Sequence, residues 1–229
     1  RRQRQMCIRD ILEGAPEIGP AMREDETFRV RLIALLGGSS AFGDHLAANP
    51  ETWTELQRAL PTPTEMLYTF LSTVGAEPAT FAEDPERPDT ASADLTTPGT
   101  YRAAEGDHKA QLKNVYRTLM MRIAAHDLAG TFHSRKGQSR PQSRVGFREV
   151  TSLTTALADA ALTAALAGAV RVVYGDEPLD AQLSVMAMGK CGAGELNYIS
   201  DVDVIFVGSE ATPKVCLLYT SPSPRDKRQ

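Results

Sequence analysis

Cysteine is nearly missing from this chain. Three occur in 229 residues, Cys7, Cys191 and Cys216. Cys7 and Cys216 fall in terminal stretches of foreign composition, which leaves Cys191 alone in the interior. One cysteine builds no disulfide framework and no cysteine-based zinc site, and its isolation suits a reducing compartment such as the cytoplasm. His45, His108, His126 and His133 are scattered without ligand spacing, so a histidine metal centre is not expected either. No apolar run approaches the roughly 20 residues that cross a bilayer, so no membrane association is expected. The polar, basic first ten residues do not read as a signal peptide. There is no internal repeat at solenoid periods.

An excess of positive charge is lacking as well. The terminal stretches "RRQRQMCIRD" (1–10) and "VCLLYTSPSPRDKRQ" (215–229) resemble translated linker sequence and are read as non-native tails. They carry seven of the 25 basic and two of the 29 acidic residues, so the interior has a net charge of −9 against −4 for the whole chain. An acidic interior argues against nucleic acid as a partner.

What is present is, first, helix. In "TFRVRLIALLGG", Phe28, Leu32, Leu35 and Leu36 share a helical face that Gly37 and Gly38 close. "SSAFGDHLAANP" reads as a short helix stopped before Pro50. Asn49 and Pro50 suit the cap and first position of a further helix carrying Trp53, Leu56 and Leu60. Thr64 is expected to cap another, with Leu67, Phe70, Leu71 and Val74 inside and Gly75 at its end. Residues 76–106, acidic and punctuated by Pro78, Pro85, Pro88 and Pro98, read as a long loop or linker. A longer helix is expected from Asp107 to Leu128 before Gly130, with Met120 and Met121 filling core. The basic stretch 131–148 is either a phosphate- or partner-binding loop or a solvated one, and its diluted charge favours the latter. An Ala-rich helix follows from Ser152 to Tyr174.

The pattern then switches. "LSVMAMG" (183–189) and "DVDVIFV" (201–207) read as strands, joined by the Gly-rich "KCGAGELNYIS". On a strand, Asp201 and Asp203 would share one face while Val202 and Val204 take the other. Paired carboxylates repel unless a cation lies between them. A hard divalent ion such as magnesium is the natural partner. By spacing alone, D-x-D could equally be a solvent-facing strand end. Gly189, Gly192 and Gly194 would let backbone amides approach an anion. Ser200 could donate to a phosphate oxygen. Lys190 is either a phosphate clamp or a surface lysine. Glu195 is expected to cap the local turn. A P-loop is excluded, and "GKCGAG" has the wrong spacing for a dinucleotide fingerprint.

"MGKCGAGELNYISDVDVIFV" resembles the nucleotidyltransferase signature. It is most similar to the family of glutamine synthetase adenylyltransferase/adenylyl-removing enzymes in their actinobacterial form. Their motif runs G-K-x-G-G-x-E-L-x-x-x-S-D-x-D, matched here at Gly189, Lys190, Gly192, Glu195, Leu196, Ser200, Asp201 and Asp203. "FRVRLIALLGGSSAFGDHLAANPE" and "RIAAHDLAG" resemble the family's N-terminal half. Asn197 and Tyr198 resemble the adenylyl-removing version of the motif. Ala193, Gly194, Ile199 and His126 depart from the family pattern.

The resemblance implies a mainly α chain with a partial α/β nucleotidyltransferase core, a helical N-terminal region followed by a truncated mixed sheet. It implies Asp201 and Asp203 as catalytic magnesium ligands, and Gly189, Lys190, Gly192 and Ser200 as phosphate- or nucleotide-binding residues. It implies glutamine synthetase as partner, together with ATP, ADP or AMP and phosphate, and a PII-type signal protein as a further partner. The expected organisation is a tail (1–10), a helical region (11–75), a linker (76–106), helices with the start of the transferase domain (107–214) and a tail (215–229). With a third carboxylate expected from a later strand, the chain reads as an N-terminal fragment, inactive alone. Two rivals are another nucleotidyltransferase of this fold, such as a protein uridylyltransferase, and a noncatalytic module that docks glutamine synthetase or a PII-type protein.

Overall fold

The computed structural model describes residues 11–80, 100–135, 145–209 and 212–219. The chain is mainly helical with two small antiparallel sheets, in line with the expected fold class. It divides into two compact units. Among the described residues, the first holds 11–62 and 113–154, and the second holds 63–112 and 155–219.

In the first unit, α1 (Ile18–Glu24), α2 (Glu26–Gly38) and α3 (Ser40–Ala48) follow one another with little linker. The breaks are set by side-chain caps. Asp25 accepts from the Phe28 N–H at 2.9 Å, and Ser39 accepts from the Phe42 N–H at 3.4 Å. Each supplies an acceptor to an amide that has no partner within its own helix. Asn49 does not cap the next segment as expected. Its amide donates to the His45 carbonyl at 3.0 Å, closing α3 instead, and Pro50–Leu56 winds as a 3-10 helix. Phe28, Leu32, Leu35, Leu46 and Leu56 close a core with Met121, Ala124 and Ala125 of α5 (Lys109–Arg135). Trp53 packs tilted against Phe28, ring centroids 5.4 Å apart.

α5 runs through Gly130, seven residues past the expected end at Leu128. A mid-helix glycine costs only about 1 kcal/mol relative to alanine, which burial on a long helix readily outweighs. The helix brings buried Arg122 to the end of the 3-10 segment. There its Nε donates to the Ala59 carbonyl at 2.6 Å and its Nη1 to Glu55 at 3.1 Å. Arg31 donates to the Leu56 carbonyl at 2.9 Å, so two guanidinium groups serve carbonyls that the short helix leaves unpaired.

His45 and His126 also belong to this unit. His45 is buried, with Nε2 3.0 Å from Thr118 Oγ1. Burial lowers its pKa, and Arg117 adds to the effect. His126 lies 3.0 Å from the Arg58 carbonyl, and burial lowers its pKa too, with Arg31 and Arg122 contributing. Below about pH 6.5 the unfolded chain therefore binds protons that the folded unit refuses. Stability from these two groups is fully present above that pH and is lost as pH falls toward the lowered folded-state values. The urea midpoint should drop between pH 7.5 and 5.5. In the His45→Gln variant it should drop less, and an equal drop would show that His45 contributes nothing.

In the second unit, α4 (Pro63–Thr73) opens at Pro63 rather than on a Thr64 cap. Proline suits a first turn, where no N–H is needed. Met66, Phe70, Leu71 and Val74 are buried, and Gly75 leaves the helix at φ +56°. The ends of the segment read as a linker are paired: β1 (Glu77–Pro78) aligns antiparallel with β2 (Tyr101–Arg102). Tyr101, Arg102 and Ala103 are buried. Arg102 donates to the carbonyls of Asp176 and Glu177, just beyond α6 (Phe147–Tyr174). Residues 81–99 and the basic stretch at 136–144 lie outside the described residues. So do the expected tails at 1–10 and 220–229.

α6 starts five residues before the expected Ser152. It is the one helix among the described residues that is long and apolar enough, by length and composition, to cross a membrane. Its Leu157, Ala160, Ala164, Ala167 and Val170 are buried in protein. Arg171 donates to the Ala103 carbonyl at 2.6 Å, as in a helix packed within a folded domain. Residues 213–219 form a last helix, with Val215 buried and Leu218 against Val170, Tyr174 and Leu179. Residues 215–219 were set aside as tail in the sequence reading, yet their apolar side chains pack here.

Candidate functional site

Beyond α6 the chain forms β3 (Leu183–Ala187), one helical turn α7 (Gly189–Gly192) and β4 (Val204–Gly208). The strands pair antiparallel, with Val185 opposite Phe206 and Ala187 opposite Val204. β4 therefore begins three residues later than expected, and Asp201 and Asp203 lie on its approach rather than within it. The alternation predicted for them survives. Asp201 and Asp203 are exposed, while Val202 and Val204 between and after them are half-buried. Val202 packs on Ala158, Cys191 and Leu196. The pairing also continues one step past the strand, because the Met188 N–H donates to the Asp203 carbonyl at 2.8 Å. Asp203 is thus held by backbone while its carboxylate faces out.

The Gly-rich turn is held mostly by its own amides. Gly192, Ala193, Gly194 and Glu195 donate to the carbonyls of Met188, Gly189, Cys191 and Lys190 at 2.8–3.1 Å. Those four N–H groups are spent inside the turn. Glu195 does close it, through its backbone N–H to Lys190. Gly189 sits at φ +55°, where a side chain is strained, and a Cβ there would lie 3.8 Å from Asp203 Oδ2. Gly192 is needed for closeness: a Cβ would fall 2.4 Å from the Ala187 carbonyl oxygen. Lys190 is exposed and makes no ion pair among the described residues. Cys191 is buried, and burial, with Asp159 nearby, raises its thiol pKa, so it is no ready nucleophile.

Two residues hold the segment that leads to the aspartates, and the sequence reading missed both roles. Thr155 of α6 accepts from the Leu196 N–H at 3.3 Å, and Leu196 is buried beneath. Nothing in the sequence marks a contact across 41 residues. Ser200 donates its hydroxyl hydrogen to Asn197 Oδ1. The N-x-x-S spacing is a short-range signal that could have revealed it. Around the carboxylates the sheet face is open and apolar. Ile205 and Val207 share the parity of Asp203, with Met186 opposite Ile205, and all three are exposed.

Asp201, Asp203, Gly189, Lys190, Gly192 and Ser200 thus fall within one turn-and-strand element of the second unit. Two outward carboxylates on neighbouring residues of one parity suit a hard cation that fills its other positions with water and phosphate oxygens. No cluster of three or more acidic, histidine or cysteine side chains fit to hold a metal occurs among the described residues.

Residues 66–216 match the model of a family described as glutamate-ammonia ligase adenylyltransferase. The chain is 56% identical over 203 residues to a bifunctional glutamine synthetase adenylyltransferase/adenylyl-removing enzyme of Corynebacterium efficiens, covering 85% of this chain and 19% of that protein. Proteins of the same description from Corynebacterium diphtheriae and Mycolicibacterium smegmatis are 50% and 40% identical, each over about 85% of this chain and 21% and 16% of their own length. The chain therefore spans about a fifth of the length of the curated relatives it matches. No solved structure matches it.

Proposed function

The chain belongs to the glutamate-ammonia ligase adenylyltransferase family, and from that premise we propose that it serves the adenylyl-removing reaction on glutamine synthetase. In that reaction inorganic phosphate attacks the α-phosphorus of an AMP-tyrosine ester. The P–O bond to tyrosine breaks, and ADP and free tyrosine leave. Two things support the reading. The relatives are named for adenylyl transfer and removal, and Asn197-Tyr198 stands in the motif where the removing version has it.

The observation that carries the proposal is the outward carboxylate pair, with Asp203 held through its carbonyl by the Met188 N–H. Asp201 and Asp203 would hold magnesium, which when bound neutralises phosphoryl charge and orients in-line attack. Lys190 adds a mobile positive charge beside them for phosphate oxygens. The leaving phenol has an unperturbed pKa near 10, so positioning and charge neutralisation are the main demands on the protein. The remaining ligands of the cation fall to substrate, water or another part of the full-length protein. The 229-residue chain alone is accordingly expected to be inactive. ATP-dependent adenylylation, a PII-type partner and a cytoplasmic setting belong to the same proposal for the whole protein.

The full-length protein carrying this sequence should release ADP from adenylylated glutamine synthetase when given phosphate and magnesium. Activity on a uridylylated protein instead, or none without ATP, would turn the reading toward another transferase.

A further inference from the structure

The turn before the aspartates offers fewer anion donors than its glycines suggest. The amides of Gly192, Ala193, Gly194 and Glu195 are consumed by carbonyls within the turn. The Ser200 hydroxyl gives its only hydrogen to Asn197 Oδ1. A serine in that state accepts further bonds but donates none. Asn197 is in the opposite condition. Its Oδ1 is occupied, its Nδ2 carries two hydrogens, and no partner for Nδ2 occurs among the described residues. The residue is exposed, four positions before Asp201 and six before Asp203.

We propose that Asn197 Nδ2 is the side-chain donor that receives a phosphate oxygen at this site, and that Ser200 is a positioning residue that locks the Asn197 amide in the donating orientation. An amide accepts at one end and donates at the other. Fixing Oδ1 against Ser200 therefore decides which end a ligand meets. The segment cannot swing freely either, since Leu196, next to Asn197, is buried and its N–H is held by Thr155. The ligand chemistry is a phosphate oxygen beside the carboxylate pair, whether of inorganic phosphate or of a nucleotide. The inference rests on the functional reading above and refines which side chain contacts the anion.

The test is equilibrium binding of radiolabelled inorganic phosphate and, separately, of AMP to the full-length protein with magnesium. Loss of a hydrogen bond to a charged group should weaken binding of the ligand that Asn197 contacts about tenfold or more in Asn197→Ala. Asn197→Asp keeps the acceptor for Ser200 but replaces the donor with a negative charge, and should weaken binding at least as much. Ser200→Ala should weaken binding in the wild-type background, Ser200→Thr should restore it, and Ser200→Ala should add nothing on top of Asn197→Ala. Phosphate alone responding assigns the contact to the attacking anion, and AMP alone assigns it to the nucleotide. Unchanged affinities for both in Asn197→Asp would overturn the proposal. So would a full Ser200→Ala loss in the Asn197→Ala background, since Ser200 would then touch the anion itself. If Asp203→Asn binds both ligands as the wild type does, the carboxylate reading is what fails. If the wild-type protein binds neither ligand, both fail.

Discussion

Asp203→Asn in the full-length protein should lower phosphorolysis of adenylylated glutamine synthetase about a thousandfold while leaving thermal unfolding unchanged. Several kcal/mol of transition-state stabilisation are at stake when a cation's ligand is lost, and each 1.36 kcal/mol is a factor of ten. The asymmetry between the two readouts follows from the geometry. The Asp203 carbonyl is what the fold uses, through the Met188 N–H, and asparagine keeps that carbonyl. The carboxylate is exposed, so exchanging it removes no packing. Asp201→Asn should behave in the same way, because Asp201 is exposed with the same parity. A steady-state assay of ADP release beside a melting curve checks both. Wild-type rates in either variant would remove that carboxylate from the chemistry. A melting point that fell with the rate would make its role structural.

The second large effect belongs to Gly192→Ala, and it reverses the pattern. The new Cβ would sit 2.4 Å from the Ala187 oxygen and 3.0 Å from its carbonyl carbon. Both are backbone atoms, so no flexible side chain can yield. Either the turn lifts or the end of β3 moves, and Ala187 is paired with Val204 directly after Asp203. Overpacking of this kind costs about 1–3 kcal/mol. The urea midpoint should fall, and activity should fall with it because the displaced strand carries the carboxylate. Gly168→Ala is the control, since a Cβ there meets nothing within 4 Å. Equal stability of the two variants would show that the turn is looser than the 2.4 Å approach implies.

These variants separate what was legible from what was not. The helices of the first unit were readable because each carries its own code: an apolar stripe such as Phe28, Leu32 and Leu35, and a local cap or stop. Misjudged boundaries fell where a distant contact outweighed a local preference. Asn49 looked like a cap for the segment after it, but its amide turned back to His45. Gly130 looked like a stop, but α5 continued through it. The segment 76–106 looked like a linker because proline and acidic residues dominate it. Its ends nonetheless pair as β1 and β2, and Tyr101 is buried.

At the site, local pattern alone determined that two carboxylates follow a Gly-rich turn and face the same way. Alternation along an extended chain needs no partner strand to be true. The family motif could be read in the same residues, because it too is contiguous. Only the tertiary structure decided what the glycines and the serine do there. Gly192 makes room for the Ala187 carbonyl, most of the turn's amides bond within the turn, and Ser200 is committed to Asn197. Sequence tells which donors and acceptors are present. Which of them remain available to a ligand depends on how the folded backbone has already paired the others, and that accounting is three-dimensional.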